Sequence, residues 1–267
     1  MIQDSRPLIR VVAGVVLNRE GDYLLSSRPE GKPYAGYWEF AGGKVEPSES
    51  ELDALKREFE EELGIHIHHA TPWLTKIHAY EHAHVHLRFF RIRPDEWSGE
   101  PLAREGQKWS WQKAGDFSVS PMLPANGPLL AALSVPWHLQ GNTRNGFYGQ
   151  NSMGEYRVVP FEAAEAEHAN ILISEPLLQK RGTLPAARSV WVLVENQQQW
   201  HRVQDADVIV WRVTDDEAAQ AVDKVLAAGV SQPLVVYAVP YIAARYAAQW
   251  LAAGAHAVVE NQETELA

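Results

Sequence analysis

The sequence predicts an α/β chain built from two unequal domains, on three observations. A length of 267 residues favours about two domains, or one large barrel, at roughly 150 residues each. Near residue 140 the texture changes from mixed strand and helix signals to repeated strand–helix units. Between the two lies a stretch, residues 137–155, rich in Gly and Asn and without periodicity, which reads as a linker. The expected division is therefore 1–136, a linker at 137–155, and 156–267.

In the first part, Val11 to Leu17 is apolar and β-branched and reads as a strand. Asn18 to Asp22 is a turn cluster, and Tyr23 to Ser26 follows as the expected hairpin partner. The Gly- and Pro-rich stretch from Pro29 to Gly43 is too broken for regular structure. From Ser50 to Leu63 the period becomes helical: Leu52, Leu55, Phe59 and Leu63 fall within an arc of about 80°. Alternating apolar positions at Leu74–Tyr80 and Val85–Ile92 predict two more strands, and Pro128–Leu133 a short closing helix. In the second part, strands are expected at Ile171–Ser174, Val190–Val194, Val208–Trp211, Leu234–Ala238 and Ala257–Val259. Helices are expected at Glu217–Ala228 and Ala243–Ala253. This alternation implies parallel strands with helical crossovers. Five or six units fit the length; the eight of a closed barrel do not.

Composition narrows the function. The chain has no cysteine, which excludes thiolate metal sites, thiol nucleophiles and redox switching. Its net charge of −10 is shared by both halves, so neither carries the basic footprint of a duplex-binding or membrane-surface protein. No apolar run approaches a membrane span. The N-terminus lacks a signal-peptide pattern and reads as a first strand, so a cytoplasmic location is expected. An acidic protein can still act on polyanionic nucleotides when a divalent metal bridges the two.

The segment Gly43–Ile65, GKVEPSESELDALKREFEEELGI, concentrates the chemistry. Glu58, Glu61 and Glu62 stand at i, i+3 and i+4, on a helix face away from the leucine stripe. Like charges at those spacings destabilise a helix by a few tenths of a kcal/mol per pair. Such a cluster calls for a compensating cation, and carboxylate oxygens suit Mg²⁺, with Mn²⁺ as the alternative. The Gly42–Gly43 pair permits a tight loop that brings backbone close to metal and phosphates.

The spacing resembles the Nudix box in full: Gly43, five residues, Glu49, seven residues, then Arg57-Glu58-Phe59, Glu61-Glu62 and Gly64-Ile65. By chance this arises in roughly 10⁻⁷ of chains this long, too rarely for coincidence. The resemblance implies an α/β/α sandwich with a mixed sheet, and hydrolysis of a nucleoside diphosphate linked to another group by metal-activated water. It implies Glu58, Glu61 and Glu62 as metal ligands with the Gly42 carbonyl, and Glu49 with Arg57 as the ion pair that orients the helix. Glu58 and Glu105 are the two candidates for general base.

From about Leu8 to Leu133 the chain also resembles the MutT-type members of that family, the 8-oxo-dGTP diphosphatases. Arg28, eleven residues before Glu39, matches their nucleotide-contacting arginine. Phe40 matches the aromatic residue against the base, and Lys44 the lysine after the double glycine. Glu105, in Glu105-Gly106-Gln107, matches an additional acidic group near the metals. Pro124-Ala125-Asn126 is similar to the segment whose asparagine reads the oxidised purine, a task suited to an amide's paired donor and acceptor. Read without the resemblance, Asn126 is a helix N-cap. Two departures bear on substrate: Ala41 replaces the usual proline, and the Glu81–His84 turn is short. His82, His84 and His86 would share a face on an unbroken strand, but a turn near Ala83 breaks that alignment and a polar outer strand is expected.

Residues 156–267 resemble, weakly and in part, the later half of thiamine-phosphate synthase barrels, through FEAAEAEHANILISE and VVYAVPYIAARYAAQWLAAGAHAVV. Val239-Pro240 stands where that family's phosphate-gripping double glycine would fall. A truncated TIM-barrel-like, non-catalytic domain is therefore expected. Its roles would be homodimerisation, cover for the first domain or ligand sensing, and its open strand edges would need covering.

The functional expectation is Mg²⁺-dependent hydrolysis of 8-oxo-dGTP to the monophosphate and pyrophosphate. One alternative keeps the chemistry on another nucleotide or a pyrophosphorylated thiamine precursor. The other is a nucleotide-sensing regulator without turnover. No duplex nucleic acid or membrane partner is expected.

Overall fold

The computed structural model describes residues 6–81, 83–165 and 170–261. The chain forms two compact units, Met1–Ser134 and Val135–Ala267. The first contains strands β1 (Leu8–Val16), β2 (Tyr23–Ser27), β3 (Trp38–Glu39) and β4 (Gly42–Lys44), then helix α1 (Glu51–Leu63). There follow β5 (His66–Ile67), β6 (Thr71–Ala79), β7 (His84–Ile92), β8 (Trp97–Ser98), β9 (Trp109–Gln112), a 3-10 turn at Pro124–Asn126, and α2 (Gly127–Leu133).

The main sheet runs β4-β1-β7-β6 and is mixed, because β1 is parallel to β7 and antiparallel to β4. A second, antiparallel sheet runs β3-β2-β9. The expected β1–β2 hairpin is thereby corrected. The Asn18–Asp22 turn forms, with the Asp22 amide donating to Asn18 Oδ1 (2.8 Å). Beyond a single Leu17–Tyr23 bridge, however, the strands diverge into different sheets. The stretch from Pro29 to Gly43, expected to be irregular, holds β3 and the start of β4.

Helix α1 follows its sequence signals. Ser50 caps it by accepting from the Asp53 amide (3.1 Å), and Gly64 ends it with φ 66°. Leu55, Phe59 and Leu63 are fully buried against Val12, Val16, Phe90 and Ile92, which leaves the glutamate face turned away from the core.

In the second unit, β10 (Leu139–Asn142), β11 (Gly146–Asn151) and β12 (Gly154–Pro160) form an antiparallel meander. Parallel strands continue from β12 through β13 (Asn170–Ser174), β14 (Ser189–Val194), β15 (Val208–Val213), β16 (Leu234–Ala238) and β17 (Ala257–Glu260). The crossovers carry α3 (Glu175–Arg181), α4 (Gln197–Arg202), α5 (Asp216–Ala228) and α6 (Pro240–Ala253). One face of this eight-stranded sheet buries Phe147, Val158, Leu172, Trp191, Val210 and Tyr237 in a common core.

Two expectations are corrected here. Residues 137–155 are not a linker; they supply β10, β11 and the start of β12. The sheet is also not left open: its end strands β10 and β17 lie in contact, giving a nearly closed, barrel-like body of eight strands. Six strands are parallel, within the five or six units expected, and the meander provides the other two. A buried histidine fastens the seam. His256, just before β17, brings Nε2 to 3.1 Å from the Val135 carbonyl and 3.2 Å from that of Pro136.

At the C-terminal ends of β13–β15 a cavity of about 360 Å³ is lined by Ser174, Glu195 and Arg212 over Leu172 and Leu193. Val239 and Pro240 open α6. The stretch FEAAEAEHANILISE is described only in part, because residues 166–169 lie outside the described residues. No described helix is long and apolar enough to cross a membrane.

Replacing His256 with Leu leaves two carbonyls at the seam without this donor, an effect of about 1–3 kcal/mol. Amide exchange along β10 and β17 should accelerate accordingly while exchange in α1 stays unchanged.

Candidate active site

Arg57 organises the N-terminal half of the glutamate face. Its Nε and Nη2 donate to both oxygens of Glu49 (2.9 and 3.0 Å), and Nη2 also reaches the Lys44 carbonyl (3.0 Å). Nη1 donates to Glu58 (2.9 Å) and Glu61 (3.2 Å). The hydrogen bonds from Arg57 hold the Glu49 carboxyl below the usual range. These contacts raise the Arg57 guanidinium above its already high ordinary value, so it stays charged and fixed.

Glu62 and Glu105 form a second group. The loop bearing Glu105 is laced to the end of α1: the Leu102 amide donates to the Leu63 carbonyl (2.8 Å) and the Arg104 amide to that of Glu62 (3.1 Å). Buried Gln107 closes the lacing. Its Nε2 donates to the Glu62 carbonyl (2.6 Å), and its Oε1 accepts from the Glu105 amide (2.9 Å). Lys32 sits between the two carboxylates, 2.8 Å from Glu105 and 3.7 Å from Glu62.

Burial acts on these acids differently. It pushes Glu62 up to about 7 from an ordinary 4.5, with Lys32 opposing and the neighbouring carboxylates adding to the rise. Burial also raises Glu58, against the pull of Arg57. Glu61, whose side chain is 58% exposed, is far more open than Glu58 or Glu62.

The double glycine makes room for this face. At Gly42, φ is 151° and a β-carbon would strike the Val12 carbonyl; at Gly43 it would strike the Glu58 carboxylate. Strand β4 therefore lies against α1 at the height of Glu58, where any side chain would push the carboxylate away.

The Nudix box implies a divalent metal, and the residues present fit one. The donors are all oxygens, Glu62 is a largely buried acid held off its ordinary ionisation, and a cation already stands against it in the form of Lys32. Among the described residues, no three acidic or histidine side chains converge on one point. The reason is visible: Arg57 draws Glu49, Glu58 and Glu61 to one side, and Lys32 draws Glu62 and Glu105 to the other.

A second cluster lies around Tyr80. Arg28 donates from Nη1 to both Glu39 oxygens (2.8 Å each) and from Nε to the Pro33 carbonyl (2.6 Å), pinning the loop between β2 and β3. Burial beside the Glu39 charge pushes Tyr80 up to about 12, partly offset by Arg28 and a backbone hydrogen bond from Ala125. The Tyr34 and Tyr80 rings lie 5.7 Å apart. The segment before α2 reaches this place through β3: the Trp38 amide donates to the Pro121 carbonyl (2.8 Å) and the Leu123 amide to that of Trp38 (2.9 Å).

Asn126 is 3% exposed, and its Nδ2 has no partner among the described residues. It is helical in conformation and makes no side-chain cap bond, so the N-cap reading fails. Phe40 is buried edge-on against Phe89 at 6.4 Å, so its ring is packed in the protein interior. Tyr34, on the loop that Arg28 pins, is half-buried and packs against Tyr37 and Tyr80. The Lys44 side chain is exposed beside Arg57.

Sequence reasoning missed Lys32, Glu39, Tyr34 and Tyr80 as members of these clusters. For Tyr34 and Glu39 the short spacing from Arg28 inside a Gly/Pro-rich loop was the available signal; for Lys32 and Tyr80, whose partners in these clusters are distant in sequence, none was. Strand β6 ends at Ala79 and β7 begins at His84, with the Tyr80 amide donating to the Ala83 carbonyl (2.8 Å). His84 and His86 are therefore on β7 after a turn, and His82 lies outside the described residues.

A capped helix with paired carboxylates, held against a glycine strand on a mixed sheet, defines a Nudix hydrolase. Residues 12–132 match the NUDIX domain model, and the chain belongs to this family. It is 38% identical over 134 residues to the 8-oxo-dGTP diphosphatase of Haemophilus influenzae, covering 97% of that protein and 50% of this chain. Over 133 residues it is 39% identical to the CTP pyrophosphohydrolase of Escherichia coli, covering 90% of that protein and 47% of this chain. The 8-oxo-dGTP diphosphatase of Escherichia coli is 29% identical over 125 residues, with 95% of it and 47% of this chain covered.

The raised Glu62 carboxyl makes a signed prediction for the metal-free protein. A folded value above the unfolded one means stability is full below the ordinary carboxylate range and falls as pH rises through about 7. Glu62→Gln should therefore melt higher than the parent at pH 8, and the gap should close near pH 4. Thermal unfolding of metal-stripped protein at both pH values measures it.

Proposed function

We propose that the N-terminal unit is a Mg²⁺-dependent nucleoside triphosphate pyrophosphohydrolase whose preferred substrate is 8-oxo-dGTP, released as monophosphate and pyrophosphate. The observation that carries the base assignment is Asn126, a buried amide with an unpaired donor. A buried amide left without a partner is destabilising by about 1–3 kcal/mol, and a purine edge offering an acceptor would relieve it. The amide oxygen can in turn accept from the N7–H that 8-oxoguanine has and guanine lacks. The identity with two 8-oxo-dGTP diphosphatases supports the same substrate.

Bound Mg²⁺, or Mn²⁺ in its place, supplies charge neutralisation of the phosphate chain and a more acidic water. Glu58, Glu61 and Glu62 would hold it, with the Gly42 carbonyl and Glu105 completing the oxygen set. Glu49 and Arg57 keep the helix face oriented, and Arg57 stays clear of proton transfer because it remains charged. Of the two candidates for general base, Glu58 is the better placed: burial raises its proton affinity, and Arg57 fixes one of its oxygens. Lys44, exposed beside this face, suits a contact to phosphate. Arg28, already bound to Glu39 and Pro33, acts on the nucleotide by shaping the loop that carries Tyr34. Phe40 supports the base site from within the core.

CTP is the second reading, favoured by the 39% identity to an enzyme of that name. The C-terminal unit is proposed to be non-catalytic, with homodimerisation as one role.

Pyrophosphate release with Mg²⁺ from 8-oxo-dGTP, dGTP and CTP tests the assignment. 8-oxo-dGTP should give the highest kcat/KM; equal rates for 8-oxo-dGTP and dGTP would refute it. Asn126→Ala should lower the 8-oxo-dGTP preference by about ten- to a hundredfold, as expected for one or two lost hydrogen bonds. Glu61→Gln should bring turnover of every nucleotide close to background while the melting temperature is retained.

A further inference from the structure

Five carboxylates crowd this site, and the described residues divide them between two cations of unlike character. Arg57 is immobile: it is bidentate to Glu49, bound to the Lys44 carbonyl, and only 26% exposed. Lys32 is the opposite. It stands at the tip of the loop that follows β2, directly after Gly31 (φ 86°), and is 45% exposed. Its ammonium makes one hydrogen bond, to Glu105, and a longer ion pair to Glu62. A compact ammonium on a four-carbon stem is well suited to move, unlike a clamped guanidinium.

The loop that carries Lys32 is anchored at its base. Arg28 grips Glu39 and the Pro33 carbonyl, and the Gly36 amide donates to the Arg28 carbonyl (2.9 Å). Only the tip therefore has to shift for the ammonium to leave. The same loop bears Tyr34, which packs against Tyr80 and Tyr37. A change at Lys32 is thus felt within two residues by the aromatic side of the proposed base site.

We propose that Lys32 is an internal stand-in cation: it neutralises Glu62 and Glu105 in the metal-free enzyme, and the divalent metal must displace it to gather the carboxylates. Lys32 is then a positioning residue for metal loading, and its release couples metal entry to the loop that carries Tyr34. The inference rests on the metal-site reading above. It concerns a lysine outside the Nudix box and a step that precedes substrate.

The test is Mn²⁺ affinity of the full chain, measured without nucleotide by electron paramagnetic resonance of free Mn²⁺. Lys32→Met should bind Mn²⁺ about three- to tenfold more tightly than the parent, because the competing ammonium is gone. Lys56→Met removes the same charge from α1 without this contact and should change affinity less than about twofold at physiological ionic strength. In chelator, Lys32→Met should melt below the parent; in saturating Mn²⁺ that deficit should vanish. Equal or weaker Mn²⁺ binding by Lys32→Met, with the parent binding normally, would overturn the role of Lys32 and leave the metal site standing. A parent that binds no Mn²⁺ at millimolar concentration would overturn both.

Discussion

Mutual repulsion among carboxylates is the constraint from which the rest of the N-terminal unit can be understood. Glu58, Glu61 and Glu62 share a helix face, Glu49 precedes it, and Glu105 is brought up from a distant loop. Left alone, these charges would unwind α1 or drive its face into solvent. Leu55, Phe59 and Leu63 on the opposite face prevent that, because they are locked in the core and fix the helix in place. The repulsion must then be met by cations, and the surrounding loops are arranged to deliver them. Arg57 comes from the helix itself, and Lys32 from the loop before β3.

The same constraint explains the local backbone. Gly43 has no side chain because the Glu58 carboxylate occupies that space. Gln107 spends both ends of its amide on lacing Glu105 to the helix terminus. Each detail holds acidic groups closer together than water alone would permit. Burial raises the proton affinity of an acid, and closely held acids add to it, which is why Glu62 stands far from its ordinary value. A site of this kind is poised to take up a cation because its own unfavourable charge does the work.

How much of this could be read from the sequence depends on the range of the signal. Helix α1, expected from Ser50 to Leu63, and its acidic face follow from local periodicity, and the structure forms the helix at Glu51–Leu63. The Glu49–Arg57 pair, joined in the structure, was legible only through the resemblance to the Nudix box. Lys32 was not, because nothing local marks one lysine in a Gly/Pro-rich loop as the partner of a glutamate 73 residues away. Phe40 shows the limit of transferring a role by position: the residue type matched, but Phe89 claims its ring. The second unit repeats the lesson. Five of its six parallel strands, β13 to β17, were legible as apolar runs, while β12 was not marked. Strands β10 and β11 were hidden by Gly141, Gly146 and Gly149, which read as loop. At Gly146 a β-carbon would strike the Val158 carbonyl, so the residue that disguised the strand is what lets it pair.

The seam between β10 and β17 has a consequence in time. Its two sides come from opposite ends of the unit, and His256 ties the last strand to residues 120 positions earlier. During synthesis the meander emerges first and must wait, with one edge bare, until β17 has left the ribosome. Closure of so long a loop is entropically slow compared with local hairpins and helices. Meanwhile the N-terminal unit, whose strands and helices all precede residue 135, already has its full set of elements. The order of the two units along the chain thus lets the hydrolase fold first and leaves the barrel's closure to come later.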